Sequence, residues 1–470
     1  MTLLHYIGAT FVILLITGVG IYSGRRVNSS GDFSTGGRKA GVGIVAGSII
    51  GTLVGGSSTI GTAQLAFTYG FSAWWFTLGG GIACLILALK FAKPLYNSGI
   101  NTLPQVFAKE YGRKSSTVST VLMSIGSLFS IIAQLLAGMA LITSVSNIGA
   151  LPSTILVVTL MLVYVIFGGV WGAGLVGIAK TVLLYGTVIG CGFLALKLGG
   201  GISAFTAALP PEKYFNLLAR GTFVDLGAGI SLILGVITTQ AYIQAIISAK
   251  SIKLSKVGAL LSAFLIPIIG IAGIFVGMYM KINSPDLSPA KALPTFIMQN
   301  TPPIVAGIIM ATLLVTLVGT GAGLALGVSS MICNDIYKVY FNKNASDKAL
   351  LNTTRIIIAL LLLTASLFTA GNMGGLILGW SFMSMGLRGA VAFAPLCCAL
   401  FLPGRIDKQF ALYAIIAGPL FVLIGKFVLP KYIDPLFLGV GISILIMIIG
   451  YSVTKKRLRC KLEKHNKILN

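Results

Sequence analysis

Apolar runs of about 20 residues recur along the whole chain, and short polar segments rich in Lys and Arg separate them. Such runs have the length that an α-helix needs to cross the hydrocarbon core of a bilayer. The pattern predicts an all-α polytopic membrane protein with about 13 transmembrane helices. They are expected over residues 3–23, 43–70, 73–92, 117–146, 153–169, 175–197, 224–248, 257–281, 303–332, 353–371, 374–402, 409–429 and 435–454.

Two of these runs are interrupted by small and polar residues. The second contains VGGSS at 54–58, and the seventh contains GVITTQ at 235–240. Paired interruptions at corresponding positions are typical of transporters with inverted repeats, which bind solute where helices unwind near the membrane midplane. Five spans counted from each interrupted helix predict a 5+5 inverted-repeat core with discontinuous helices. The alternative for the glycines is close packing of helices through small residues.

This count divides the chain into five parts. They are a peripheral first helix and cytoplasmic loop at 1–42, a first five-helix repeat at 43–200, a second at 201–402, two peripheral helices at 403–454 and a basic cytoplasmic tail at 455–470.

Composition supports the membrane assignment, and the placement of charge orients it. The chain is 56% hydrophobic and 9% charged, against roughly 25% charged residues in soluble proteins. A net charge of +24 alone would suggest nucleic acid as a partner, but the basic residues gather in alternate loops, as the positive-inside rule expects. We therefore predict a plasma-membrane protein in the lipid bilayer, with its N-terminus outside, its C-terminus in the cytoplasm and no nucleic-acid partner.

The acidic residues argue against catalysis in the membrane. All ten lie in loops or at span ends, both histidines lie near the termini, and the six cysteines show no metal-binding spacing. A membrane enzyme would need a nucleophile with its base or a set of metal ligands, and an ATP-driven pump would need a phosphate loop. We predict a transporter with no organic cofactor. Any coupling ion would be held by carbonyl and hydroxyl oxygens, which sodium accepts.

Polar side chains mark a solute site at the two interruptions. The candidates for binding a small molecule are Ser57, Ser58 and Thr59 in the first interruption, Thr238, Thr239 and Gln240 in the second, and Gln134 in the fourth span.

Two basic residues, Lys180 and Arg388, fall inside predicted spans. A charge at the bilayer centre costs about 2.5–3.5 kcal/mol on insertion scales and usually marks a pathway or a partner. Arg388 would bind either carbonyls at a helix end or the carboxylate of a substrate. Two cations without an acid favour an anionic or zwitterionic solute, such as an organic acid or amino acid. The alternative for Lys180 is snorkelling from the end of its span.

Six motifs in series resemble those of the sodium/solute symporter family. They are DFSTGGRK at 32–39, IGT with AFTYG between 60 and 70, TLPQ at 102–105, YVIFGGV at 164–170, Gln244 with AKS at 249–251, and DIYK at 335–338. The resemblance covers roughly residues 1–455. It implies the leucine-transporter-type inverted-repeat fold, alternating access and secondary active transport, usually driven by sodium.

The resemblance also implies a sodium site between the second and ninth spans. Its carbonyls would come from Gly51, Val54 and Thr316. Its hydroxyls would come from two adjacent residues, here Gly319 and Thr320, and the first hydroxyl is missing because glycine has no side chain. Lys180 stands where the family has a glutamine, and the nearby family aspartate is absent. Because an ammonium can occupy the place of a metal cation, Lys180 would either replace sodium or carry a proton instead.

The sequence therefore predicts import of a small carboxylate-bearing solute by sodium symport. Two alternatives stay open: proton-coupled or uncoupled uptake on the same fold with Lys180 in place of sodium, and a membrane solute sensor that does not transport. The sequence carries no signature of an oligomeric state.

Overall fold

The computed structural model describes residues 2–24, 38–146, 148–370, 375–430 and 432–469, with only the backbone described at 165–174, 370 and 458–469. The part of DFSTGGRK before Arg38 lies outside the described residues. So do most side chains of YVIFGGV and of the predicted basic tail.

Helices joined by short breaks and loops make up the membrane part of the described chain. The first half contains α1 (Leu3–Gly24), α2 (Val42–Leu53), α3 (Thr62–Tyr69), α4 (Trp75–Ile86), α5 (Ala92–Asn97), α6 (Pro104–Tyr111), α7 (Arg113–Val145), α8 (Ala150–Leu198), α9 (Ile202–Ala208) and α10 (Pro211–Tyr214). The second half contains α11 (Thr222–Ile237), α12 (Gln240–Ile247), α13 (Ile252–Asn283), α14 (Ala292–Asn300), α15 (Pro303–Ile332), α16 (Asp347–Ala370), α17 (Ile377–Phe401), α18 (Lys408–Val428) and α19 (Leu436–Leu469).

The number of spans agrees with the expectation of about 13 only approximately. Among the described residues, 10 segments are long and apolar enough to cross a membrane, and the bent pair α11–α12 adds an eleventh. Two shorter apolar helices, Val42–Leu53 and Ala150–Tyr164, lie where the second and fifth spans are expected. The predicted spans at 153–169 and 175–197 both fall within the continuous helical backbone of α8.

Helix ends follow local chemistry. Asp407 caps α18 by accepting a hydrogen bond from the Gln409 N–H at 2.9 Å, and Ser251 caps α13 in the same way through Leu254. Pro303 begins α15, at a position where its missing N–H costs nothing.

Both predicted interruptions are confirmed. In the first, α2 ends at Leu53, Val54 is extended, and a π-helical turn at Ser57–Gly61 leads into α3. A Cβ on Gly55 would lie 2.6 Å from Gln134 Oε1 and from Thr320 Oγ1, so this close approach requires glycine. In the second, α11 ends at Ile237, α12 begins at Gln240, and the two are bent by 45°.

The helices divide into a buried centre and a lipid-facing periphery. The apolar part of α7 is 83% buried, whereas the apolar parts of α1 and α16 are 22% buried. The centre is formed where α15 packs on α7 and α8, and where α17 packs on α7 and α11. Both interruptions lie against this centre, because the first contacts α7 and α17, and Thr239 of the second accepts a hydrogen bond from Arg388 of α17. Irregular backbone at membrane depth is tolerated where protein buries it in this way.

Candidate functional site

Lys180 extends from α8 into a set of oxygens between the first interruption and α15. Its Nζ donates hydrogen bonds to the Gly51 carbonyl, to the Thr316 carbonyl at 3.2 Å and to Thr320 Oγ1 at 3.3 Å. The Thr320 hydroxyl also donates to the carbonyls of Gly51, at 3.1 Å, and Val54, at 3.4 Å. The residue is 2% exposed, so the snorkelling alternative does not describe it. The ammonium lies among the oxygens that the resemblance assigns to sodium.

Gly319 completes the surroundings of this ammonium. A Cβ at Gly319 would lie 3.3 Å from Lys180 Nζ and 3.2 Å from the Tyr164 hydroxyl, so glycine leaves the lysine its room. The hydroxyl of Thr316 is buried and has no hydrogen-bond partner among the described residues. Four residues of the predicted sodium site, Gly51, Thr316, Gly319 and Thr320, thus lie around one nitrogen atom, and the carbonyl of the fifth, Val54, accepts from the Thr320 hydroxyl.

Ser57 links the first interruption to two central helices. Its hydroxyl lies 2.7 Å from the Ser381 hydroxyl of α17 and accepts a hydrogen bond from Gln134 Nε2 of α7 at 3.0 Å. Gln134 Oε1 in turn accepts from the Gly56 N–H at 2.8 Å. Gln134 therefore satisfies backbone that the interruption leaves unpaired and at the same time orients Ser57.

Arg388 lies in the middle of α17 and is fully buried. Its Nη1 donates to Thr239 Oγ1 at 2.7 Å, and its Nη2 donates to Ser130 Oγ and Ser384 Oγ, both at 3.1 Å. Its Nε donates to the Ser384 carbonyl at 3.2 Å. All of these oxygens belong to neutral groups. Arg388 thereby connects α7, α17 and the second interruption.

Three predicted solute contacts have other partners. Ser58 donates to the Leu53 carbonyl and Thr59 to the Gly55 carbonyl, both at 2.9 Å, so these hydroxyls satisfy the interruption itself. Gln240 accepts from the Leu103 N–H at 2.8 Å and donates to the Asn101 carbonyl at 3.0 Å. Its amide is used by the segment before α6, and the structure does not bring it to Arg388.

Sequence reasoning missed the serines that line this centre. Ser130 and Gln134 are four residues apart on α7, and Ser381, Ser384 and Arg388 follow at three and four residues on α17. Such spacing places each set on one helix face. A polar stripe on each of these apolar helices was therefore visible in the sequence. That the two stripes face each other is known only from the tertiary structure.

Comparison with known proteins decides the family. The model of the sodium:solute symporter family matches residues 33–418. This chain belongs to the sodium:solute symporter family. The human high affinity choline transporter 1 is 24% identical over 83% of this chain and 71% of its own length. The sodium/glucose cotransporter of Vibrio parahaemolyticus is 22% identical over 88% and 83%.

Solved structures agree on the fold. The substrate-bound outward-open state of a Na+-coupled sialic acid symporter superimposes with a TM-score of 0.81 at 18% identity, covering 97% of this chain and 98% of that one. The chain is therefore a multi-pass membrane transporter with the leucine-transporter-type fold that the sequence predicts.

In this symporter-family chain, polar contacts near both ends of the helix bundle join segments that are distant in the sequence. At the end predicted to lie outside, Arg220 Nη2 lies 2.6 Å from Asp225, Ser72 donates to the same carboxylate at 2.7 Å, and the guanidinium carbon lies 5.4 Å from the centre of the Phe382 ring. At the other end, Thr102 donates to Asp335 at 2.7 Å. Each set ties the first half of the chain to the second, through Ser72 with Asp225 and through Thr102 with Asp335.

Proposed function

We propose that this protein is a secondary transporter that imports a small solute by alternating access, with the Lys180 ammonium in the place of a sodium ion. The observation that carries the proposal is the contact of Nζ with the Gly51 carbonyl, the Thr316 carbonyl and Thr320 Oγ1. An ammonium has three N–H donors, and these three oxygens accept one each.

Sodium and Lys180 would compete for this position. Two unit charges about 4 Å apart repel by about 4 kcal/mol at an effective dielectric constant of 20, which corresponds to roughly a thousandfold in affinity. Sodium could therefore bind these oxygens only after the lysine side chain had left them. A tethered ammonium makes the site independent of the sodium concentration.

We propose a carboxylate-bearing solute, such as an organic acid or amino acid. Lys180 and Arg388 are both buried, and no described carboxylate contacts either of them. Family membership leaves the solute open, since the relatives are named for choline, glucose and sialic acid.

Sodium symport is the second candidate, and two observations favour it. The matched family and the structurally similar Na+-coupled sialic acid symporter are both named for sodium. The unpartnered Thr316 hydroxyl adds an oxygen to the carbonyls of Gly51, Val54 and Thr316, so a sodium ion that displaced Lys180 would find enough ligands.

Thermal unfolding of the detergent-purified protein separates the two candidates without knowledge of the solute. A ligand that binds only the folded state raises its stability by mass action. The Tm would be followed in sodium chloride against equal concentrations of potassium or choline chloride. We expect no sodium-specific shift in the wild type and a saturable shift in Lys180→Gln. Lys197→Gln, an exposed lysine change on the same helix, is the matched control.

A saturable sodium-specific shift in the wild type that Thr320→Val abolishes would overturn the proposal and establish the sodium candidate. Absence of sodium binding in both the wild type and Lys180→Gln would remove sodium from this site altogether.

A further inference from the structure

A ladder of polar side chains runs between α7 and α17. We define the polar ladder as Ser130 and Gln134 of α7, Ser381, Ser384 and Arg388 of α17, Ser57 of the first interruption and Thr239 of the second. One rung joins Ser130 and Ser384 at 2.7 Å. The next joins Gln134, Ser57 and Ser381 at 3.0 and 2.7 Å. Both rungs are buried, and together they place polar side chains at the first interruption, through Ser57, and beside Arg388, which contacts the second through Thr239.

The charge of the ladder is not compensated. Arg220 pairs with Asp225 and Arg457 pairs with Asp407, and neither ion pair includes Arg388. Arg388 is fully buried and its hydrogen bonds go to neutral groups. A buried charge is costly unless it is paired. In membrane-spanning helices such a residue marks a substrate or ion pathway.

The fold makes specific room for this side chain. A Cβ on Gly126 of α7 would lie 2.8 Å from Arg388 Cγ, so any larger residue would push the arginine aside. The side chain folds back along α17, and both Nε and Nη2 reach Ser384 one turn before it. The guanidinium therefore lies at the level of the Ser130–Ser384 rung.

The spacing of the two rungs along α17 sets the separation between the guanidinium and the Ser57 and Gln134 groups. Ser381 and Ser384 are three residues apart on α17, which is about 4.5 Å along a helix axis. A guanidinium at one rung and the Ser57 and Gln134 groups at the next therefore face positions about one helical turn apart.

We propose that the Arg388 guanidinium binds the carboxylate of the transported solute, while Ser57 and Gln134 bind a second polar group of the same molecule. The inference rests on the proposed transport function and names its substrate class: small hydroxy or amino acids whose second polar group is two or three bonds from the carboxylate. Guanidinium and carboxylate match in geometry as well as in charge.

Thr239 connects this binding to the second interruption. Its hydroxyl donates to the Gly235 carbonyl at 2.5 Å and accepts from Arg388 Nη1 at 2.7 Å. A carboxylate at Nη1 would compete with Thr239 for that N–H. Binding would thus alter contacts at both interruptions, through Thr239 on one side and Ser57 on the other.

The test is a ligand panel followed by thermal unfolding in sodium-free potassium phosphate buffer. The probes are lactate, glycerate, alanine and serine, each compared with its carboxamide, together with propionate and potassium chloride. We expect a saturable rise in Tm with at least one acid of the panel and none with its amide. Propionate, which lacks the second polar group, should bind about fivefold to tenfold more weakly than lactate if lactate is that acid.

Three variants locate the binding group. Arg388→Gln should weaken the apparent affinity for the carboxylate by on the order of 10- to 100-fold. Gly126→Ala retains the charge but displaces the arginine, and should also weaken binding. Gly186→Ala, whose added Cβ would meet nothing within 4 Å, is the matched control and should bind like the wild type. Because Gly126→Ala keeps Arg388, the test does not depend on Arg388→Gln folding.

The proposal is overturned if no acid in the panel shifts the Tm either in the sodium-free buffer or in the same buffer with sodium chloride added, if amides act as well as acids, or if Arg388→Gln binds like the wild type. A full shift with chloride alone would also overturn it, because the site would then hold an inorganic anion. A different result would contradict the proposed role of Lys180 in transport. If the carboxylate shift requires sodium in the wild type, the role proposed for Lys180 fails while that of Arg388 stands.

Discussion

Lys180 and Arg388 are both buried cations in membrane-spanning helices, but they are held by different oxygens. Lys180 donates mainly to backbone carbonyls, whose directions the helices fix. Arg388 donates mainly to the hydroxyls of Thr239, Ser130 and Ser384. A hydroxyl can rotate and can donate as well as accept, whereas a carbonyl can only accept. The first site therefore suits a cation alone, and the second can rearrange around a guanidinium with or without an anion.

Arg220 supplies the contrasting case of a cation with its counterion. It contacts Asp225, which is fully buried, through Nε at 2.7 Å and through Nη2 at 2.6 Å. This pair lies at one end of the bundle and requires no solute for its charge to be balanced. The three cations thus differ in what balances them: carbonyl dipoles, hydroxyl dipoles or a carboxylate.

The largest expected effect concerns the Arg220–Asp225 ion pair. Arg220→Gln leaves a buried carboxylate unpaired and should lower the free energy of unfolding by about 3–5 kcal/mol. Asp225→Asn should cost less, because Ser72 can still hydrogen-bond an amide oxygen. A double-mutant cycle in detergent, followed by thermal unfolding, measures the coupling. Additive single effects would mean that the pair contributes nothing and that Arg220 is no better balanced than Arg388.

The second prediction tests the difference between the Lys180 and Arg388 sites. Lys180→Ala removes a donor from the Gly51 and Thr316 carbonyls and should cost about 2–4 kcal/mol in potassium medium, with sodium restoring most of the loss. Sodium should not restore the stability of Arg388→Ala. The hydroxyls left behind, those of Ser130, Ser384 and Thr239, are already hydrogen-bonded to one another or to carbonyls. The Tm of each variant in sodium and potassium is the measurement. Equal rescue of both variants would contradict the distinction.

The third prediction sharpens the carbonyl site. Gly319→Ser adds the hydroxyl that the family pattern has at this position, next to Thr320. In a Lys180→Gln background it should tighten sodium binding by about fivefold, equivalent to one net hydrogen bond of roughly 1 kcal/mol. Sodium titrations of Tm compare the double variant with Lys180→Gln. Gly186→Ser in the same background is the control and should leave the sodium affinity unchanged.

The smallest effect concerns Asp434, in the loop between α18 and α19. Burial raises the pKa of Asp434 above its ordinary value, against the opposing effects of the Leu436 N–H and Arg220. The folded state then binds a proton at a higher pH than the unfolded chain does. Stability therefore falls as pH rises through the interval between the two pKa values.

Asp434→Asn should remove this decline and raise the Tm at pH 7 by about 1 °C. Thermal unfolding of both proteins between about pH 4 and 7 measures the effect. A pH dependence that is unchanged in Asp434→Asn would show that other carboxylates cause it.

Several features of the fold and the site could be predicted from residues alone. The clusters VGGSS and GVITTQ locate both interruptions, because glycines and hydroxyl residues in apolar runs are expected where helices unwind. Lys180 and Arg388 were identifiable as unusual because a charge in an apolar span is costly. The division between α2 and α3 and the bend between α11 and α12 follow from these local properties.

Other assignments depended on long-range contacts. Ser58, Thr59 and Gln240 look equivalent to Ser57 and Thr239 in the sequence, yet their polar atoms are used by nearby backbone or by the 101–103 segment. Ser130 and Ser384 look like ordinary small residues in packed helices. Their role beside Arg388 depends on the pairing of α7 with α17, and these two residues are 254 positions apart in the chain.

The sequence by itself determined that this chain spans the membrane, where its helices break, and that two cations lie among apolar residues without acids. Hydrophobic length, glycine content and the cost of buried charge are local properties, so they can be read along the chain. Only the tertiary structure decided what balances each cation, because carbonyls from α2 and α15 meet Lys180, and hydroxyls from α7, α17 and the second interruption meet Arg388, across distances that local pattern does not encode.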